Sequence, residues 1–361
     1  MESKHFDWID IAKGIGIVLV VLGHTLVPQI RNESSVAGFL WIFIYNFHMP
    51  LFFFLSGFLF EKGLSRYNDK LKFIQNKAHF LLVPYLFFSI FAYLFINCAL
   101  NIDKLARVLE GGGYEKTKIL QSILSILTYN NHLDKHLWFL FSLFIVFLIN
   151  ILMPKLTKHP IAIVIMLGLY VSKAFVTYFG ILDYVVSDFF FFAVGRLVIS
   201  NHSVRDIFKR SNTVAAIVMF LLMNSFYSYL YVRGLPDNKI FIAVLYCFRA
   251  CVSLLGIISV CKISIIIEKS KLADLFKKLG GYSYDIYLMH APFLVSGSMG
   301  ILLAYSPLPE AFCCVIVLFI GIILPIAISK FIVRRVPIFS AIILGTPFKR
   351  KIKNSQSYIE K

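Results

Sequence analysis

An aspartate, a lysine and a histidine interrupt the first long apolar run of the chain, DWIDIAKGIGIVLVVLGH at residues 7–24. Imidazole is the side chain whose ordinary pKa lies near neutrality, so His24 is a candidate general base. Lys13 is a candidate anchor for an anionic ligand, and Asp10 stands at the spacing where a carboxylate and an ammonium pair on a helix. At about 100° and 1.5 Å per residue, Lys13 and His24 fall within roughly 20° of each other around the axis and about 16 Å apart along it. One polar stripe therefore runs along an apolar rod, and Gly14, Gly16 and Gly23 leave room for a neighbouring helix or a ligand. An ionisable side chain at membrane depth costs at least a few kcal/mol, so three on one face call for a function. The structural alternatives are a His24 bonded to a neighbouring carbonyl and an Asp10–Lys13 pair that only neutralises itself.

Further along the chain, other polar groups sit in apolar surroundings. Arg196 and Arg249 are cations inside apolar runs without a partner in their own helix, and guanidinium suits phosphate. Snorkelling accounts for Arg196 as well, since it lies near a helix end. His48 precedes Met49 and Pro50 within the second run, where proline frees a backbone carbonyl. It is either a second polar group beside His24 or a histidine satisfied by that carbonyl. Tyr284, Tyr287 and His290 recur every three residues on one broad face, as a ligand path or as a polar seam between helices. The acid Asp188 is a structural partner for Arg249 if the two meet.

The elements that must position these groups are membrane helices. A chain that is 59% hydrophobic and 15% charged, with 37 Phe, cannot hide that surface inside one soluble globule. Apolar segments long enough to span lie at 9–29, 36–60, 78–100, 136–154, 160–179, 182–199, 212–232, 240–262, 283–305 and 309–333. The expected fold class is therefore all-α, a polytopic membrane protein of about ten transmembrane helices. The formal charge of +17 is mostly topological. With the N-terminus inside, Lys62, Arg66, Lys70, Lys72 and Lys77, then Arg205, Lys209 and Arg210, then the cluster from Lys262 to Lys278 all fall on the inner side, which sets both termini in the cytoplasm. Nucleic acid is set aside, because no soluble module interleaves basic and aromatic residues.

The domain reading is one transmembrane unit over 1–340 and a basic cytoplasmic tail over 341–361, whose Lys349–Lys353 stretch faces solvent or anionic lipid headgroups. The first run reads as an uncleaved helix rather than a removed signal peptide. Six Cys fall in or beside apolar segments without CxxC spacing and read as small core residues, so no metal site is expected. Residues 101–135 form the longest loop, with Gly111, Gly112 and Gly113 as a hinge. KILQSILSILT at 118–128 follows as an interfacial helix, passive or a lid.

Several motifs, in order, carry a family resemblance: Asp10, Lys13 and His24; FHMPLFFFLSGFL at 47–59; KAHFLLVPY at 77–85; HLWFL at 136–140; FFAVGR at 191–196; and YSYDIYLMHAPF at 282–293. Together they resemble the acyltransferase-3 family of integral membrane O-acyltransferases, in its stand-alone ten-helix form. The resemblance implies transfer of an acetyl group from cytoplasmic acetyl-CoA to a hydroxyl of a cell-surface polysaccharide or its lipid-linked precursor. It implies a bacterial cytoplasmic (inner) membrane location and no bound cofactor beyond the acyl donor. The partners implied are acetyl-CoA, a glycan or glycolipid acceptor and membrane lipid. His24 and Lys13 match the family's functional core, with Lys13 where the familiar form has Arg, so an ammonium point charge replaces a bidentate fork. Lys77 keeps the basic character of the segment before Pro84, where the family is richer in Arg.

In that reading His24, Lys13 and Asp10 are catalytic, Arg196, Arg249 and Lys77 bind the donor, and His48, Tyr284, Tyr287 and His290 line the substrate path. Direct transfer and a covalent acyl-His24 relay both stay open. The alternative is a secondary transporter of a polar or anionic solute, which needs buried charges equally well; its signature, paired broken helices in two related halves, is not found in the sequence.

Overall fold

A computed structural model describes residues 6–111, 113–128, 134–155 and 159–347. Its helices are α1 (Asp7–Thr25), α2 (Ser35–Tyr45), α3 (His48–Phe58), α4 (Lys70–Ala99), α5 (Asp103–Gly111), α6 (Ile119–Leu127), α7 (Trp138–Leu152), α8 (Pro160–Ser172) and α9 (Ile181–Ser200). They continue as α10 (His202–Arg210), α11 (Thr213–Arg233), α12 (Lys239–Ile267), α13 (Ala273–Gly281), α14 (Ser283–Met289), α15 (Ser298–Tyr305), α16 (Glu310–Phe331) and α17 (Pro337–Ile343), with no strand among the described residues. The boundaries follow from capping chemistry. Ser34, Asp69, Asn201, Asn212 and Asn238 each accept a backbone N–H of the first turn they precede, satisfying donors that a helix start leaves open.

Among the described residues, eight segments are long and apolar enough to cross a membrane, with Ser35–Phe58 and Ser283–Tyr305 each counted as one. The polytopic all-α expectation holds, but two of the ten expected spans differ from the rest. At 13 residues α8 is short for a bilayer, and the 20-residue α9 carries Asp183, Asp188 and Arg196. Large apolar side chains stand exposed on the outer faces, among them Leu94, Leu222, Phe319 and Ile323, as lipid contact requires.

The polar-striped α1 sits at the centre, packed against α2, α3, α12, α13, α14 and α16. Glycine makes these approaches possible. A Cβ on Gly14 would strike the Phe276 carbonyl of α13, and one on Gly280 the Asp10 carbonyl of α1. Helices α3 and α9 cross through the same device, with Gly57 against the Phe192 carbonyl and Gly195 against that of Phe54. A loop was expected where α13 lies; its helix closes one end of the site.

The loop of 101–135 contains an unexpected helix, α5, before α6. On α6, Ile119, Leu120, Ile123, Leu124 and Leu127 are exposed, the face expected of an interfacial helix, while Tyr85 Oη donates to the Ile126 carbonyl at 2.8 Å and ties it down. Gly112 lies outside the described residues, as do Lys158 and the tail stretch Lys349–Lys353. One expectation is corrected: Cys98, Cys247 and Cys251 are exposed on outer helix faces, so only Cys261, Cys313 and the half-buried Cys314 serve as core packing. The sulfur tolerates a lipid-facing position as readily as a core one.

Candidate active site

Asp10 and Lys13 pair as their spacing requires, with Lys13 Nζ donating to Asp10 Oδ1 at 3.0 Å. Both line a cavity of about 540 Å³ whose walls come from α1, α3, α4, α7, α13 and α14. Lys62, Arg66 and Lys77 also line it, so four cations surround a space otherwise walled by Phe52, Phe139, Phe147 and similar apolar groups. Lys77 reaches it over the rings of Phe73 and Phe147, at 5.3 and 4.8 Å. Tyr284 and Tyr287 complete the wall on the α14 side. The Tyr284 hydroxyl donates to the Phe80 carbonyl and its ring stacks on Phe80 at 4.8 Å.

His24 does not line this cavity. It lies farther along α1, among imidazoles drawn from three elements: His290 at 5.0 Å and His136 at 6.5 Å between ring centroids, with His136 and His290 themselves 5.1 Å apart. Tyr287 joins the two regions. Its ring faces the cavity, while its hydroxyl donates to the His136 carbonyl and its ring lies 5.4 Å from the His136 ring. The polar stripe on α1 thus meets a cation-lined chamber at Lys13 and an imidazole cluster at His24, with one tyrosine between them.

The cluster exists because α14 stops at Met289. Ala291 adopts extended backbone angles before Pro292, and the carbonyls of Ile286, which also accepts the His290 backbone N–H, and Tyr287 accept from His290 Nδ1–H at 3.0 and 2.8 Å. That fixes the tautomer and leaves Nε2 as a lone-pair acceptor without a protein partner. His48 does the same at the break between α2 and α3, where Nδ1–H donates to the Ile44 carbonyl at 2.9 Å; its ring lies 4.7 Å from Tyr45, which is 6.1 Å from His24. His136 was overlooked as a site residue. Its Nδ1 meets the carboxylate of Asp134, and its Nε2 too lacks a protein partner. The signal was present as Asp-x-His at the start of the HLWFL span.

The two arginines expected to hold a donor are placed elsewhere. Arg196 is 1% exposed and is bound by Glu61 Oε1, at 2.9 and 2.6 Å from Nε and Nη2, and by Asn150 Oδ1 at 2.9 Å from Nη1. It lies over the Phe60 ring at 4.8 Å and ties α9 to α7 and to the short helix Phe60–Leu64, outside the cavity lining. Arg249 donates to the Tyr45 carbonyl at 3.3 Å, on the His24 side. Asp188 is buried near Arg249 without forming an ion pair with it. Among the described residues no group of three or more His, Cys, Asp or Glu side chains is arranged to hold a metal ion.

A polar chamber and a histidine cluster inside one helical membrane body suit group transfer and transport alike. Both the α2–α3 span and the Ser283–Tyr305 span are interrupted, which by itself does not make the paired halves of a transporter. Comparison with known proteins separates the two. Residues 6–328 match the acyltransferase domain that defines the acyltransferase-3 family.

The chain belongs to that family.

It is a multi-pass membrane protein built around an acyltransferase domain, and Lys13, His24, His136 and His290 all lie within the matched region. Among curated proteins it is similar to the nodulation protein NolL of Sinorhizobium fredii, 40% identical over 84 residues, which is 22% of this chain and 22% of that protein. The chain therefore spans about a fifth of that relative's length in the match. No solved structure matches the chain.

Proposed function

We propose that this protein moves an acetyl group from acetyl-CoA to a hydroxyl of a cell-surface polysaccharide or its lipid-linked precursor, in the cytoplasmic (inner) membrane of a bacterium. One observation carries the reading: Tyr287 forms the partition between a cation-lined chamber and a cluster of histidines. A CoA thioester has a polyanionic end and an apolar pantetheine arm. The four cations suit the phosphates, and the phenylalanine walls suit the arm.

Lys62, on the short helix Phe60–Leu64, and Arg66 just after it lie between α3 and α4, on the side that the distribution of basic residues assigns to the cytoplasm, where acetyl-CoA is found. Lys77 keeps its donor-binding role, and Lys13, held by Asp10, meets the donor deeper in. Arg196 and Arg249 are released from that role by their own partners. At the far end His24 accepts the proton of the acceptor hydroxyl as that oxygen attacks the thioester carbonyl. Tyr287 and His290 flank it, and His48 supports Tyr45 beside it.

The test compares surface polysaccharides of the host with and without this protein for alkali-labile esters. A mass difference of one acetyl that disappears with His24→Ala, at unchanged protein level, supports the reading. Identical ester content in all three strains refutes it.

A further inference from the structure

His24 is poorly provided for as a lone base. Among the described residues its imidazole has no hydrogen-bonding partner, and the titratable or charged groups that act on it are His136, His48 and Arg31, none of them an anion. An imidazolium formed there would stand buried without a counter-charge, which is costly in an apolar medium. The carboxylate that reaches the cluster is Asp134, 1% exposed and bound to Nδ1 of His136, itself 8% exposed.

We infer that Asp134 and His136 form the proton-holding pair of the acyl transfer, taking from His24 the proton removed from the acceptor hydroxyl. The inference rests on the acyl-transfer reading and extends it to two residues outside the first helix. Nδ1 of His136 meets the Asp134 carboxylate, and its Nε2 is buried without a protein partner among the described residues. The 6.5 Å between the His24 and His136 centroids leaves room for one bridging oxygen, a water or the acceptor hydroxyl. His290 cannot serve as the holder, because its Nδ1–H is committed to two carbonyls and, among the described residues, no carboxylate acts on it.

The step balances. The acceptor O–H bond breaks, its electron pair forms the new C–O bond at the acyl carbon while the carbonyl π pair moves onto the carbonyl oxygen, to return when the thiolate leaves, and the hydroxyl proton passes through His24 to His136 Nε2. The C–S bond then breaks, its pair leaves on sulfur, and the proton returns by the same path to give the free thiol. His136 ends the first half as an imidazolium facing the Asp134 carboxylate, which offsets its charge while the former carbonyl oxygen carries the new negative charge. Among the described residues, the other titratable groups around the pair are Tyr287 and His290 from the α14 span against His136, and Tyr85 and Tyr114 toward Asp134. None of these supplies a second carboxylate.

The full-length protein in detergent is assayed for thiol release from acetyl-CoA with water as acceptor, across a pH series. Asp134→Asn should lower kcat about 100-fold and leave KM unchanged. Loss of the counter-charge makes the His136 imidazolium harder to form, so the acidic limb of the kcat profile should move to lower pH. Asp134→Glu should recover part of the rate, and His136→Gln should be as slow as Asp134→Asn. Melting temperatures are measured for all variants, and His136→Gln keeps the test alive if Asp134→Asn fails to fold. Wild-type rates in both variants, or a slower rate with the acidic limb unmoved, would overturn the pair while leaving the His24 reading intact. A wild-type protein that releases no thiol, in a host whose ester content does not depend on it, would remove the acyl-transfer reading and the pair together.

Discussion

Removing Glu61 should strand a buried guanidinium, and the size of the effect separates cations that serve the fold from those that serve the ligand. Glu61→Ala deletes two charge-assisted bonds to Arg196, at 2.9 and 2.6 Å, while the 2.9 Å bond to Asn150 remains. Breaking one side of a fully buried pair costs about 3–5 kcal/mol. Glu61 keeps 34% of its side chain exposed, so water reaches the vacated side and the expected cost falls to about 2–3 kcal/mol. Arg196→Met removes the charge but retains an apolar stem over Phe60, and should cost about 1 kcal/mol. The double variant should therefore be more stable than Glu61→Ala alone, the reverse of additivity. Denaturation of the purified protein in mild detergent measures the cycle, and thiol release from acetyl-CoA measures the donor KM in each variant. A tenfold rise in KM with unchanged stability for Arg196→Met would refute the argument and return Arg196 to the donor site.

Other outcomes follow from the same geometry. Lys13→Met and Lys77→Met should each raise the acetyl-CoA KM about tenfold, near 1.4 kcal/mol, with kcat within a factor of a few, and salt titration should shrink the difference; equal KM values would remove the cations from the donor site. Gly57→Val should destabilise the protein by at least about 3 kcal/mol or abolish its accumulation, because the Phe192 backbone occupies the space of a side chain; Gly168→Ala, with nothing near its hydrogen, should stay within about 0.5 kcal/mol of wild type. Tyr284→Phe keeps the stack on Phe80 but loses the hydroxyl bond, so melting should fall by an amount equivalent to about 1 kcal/mol with thiol release near the wild-type rate; a large loss of rate would place that hydroxyl in the chemistry.

Local periodicity carries only some of this. The Asp10–Lys13 pair, the exposed apolar face of α6 and the His48 bond to a carbonyl one turn back all involve groups within four positions on one helix, where spacing alone sets geometry. Ten apolar runs were readable, but their equivalence was not: a 13-residue α8 and a charged α9 depend on what surrounds them for their place in the body. Arg196 illustrates why. Its partner Glu61 is 135 positions away, and no pattern within either segment announces the bond.

By itself the amino-acid order determined that the chain is a helical membrane body, that its first helix carries a polar face, and, through motifs in sequence, which family it resembles. Tertiary structure alone decided that Lys13 and His24 serve different spaces, that Arg196 and Arg249 belong to the scaffold, and that His136 and His290 stand beside His24. The physical reason is that helix geometry is a short-range property repeating every few residues, whereas the partner of a buried charge is set by which helices cross. Those crossings depend on backbone contacts at Gly14, Gly57, Gly195 and Gly280, residues whose contribution is the absence of a side chain.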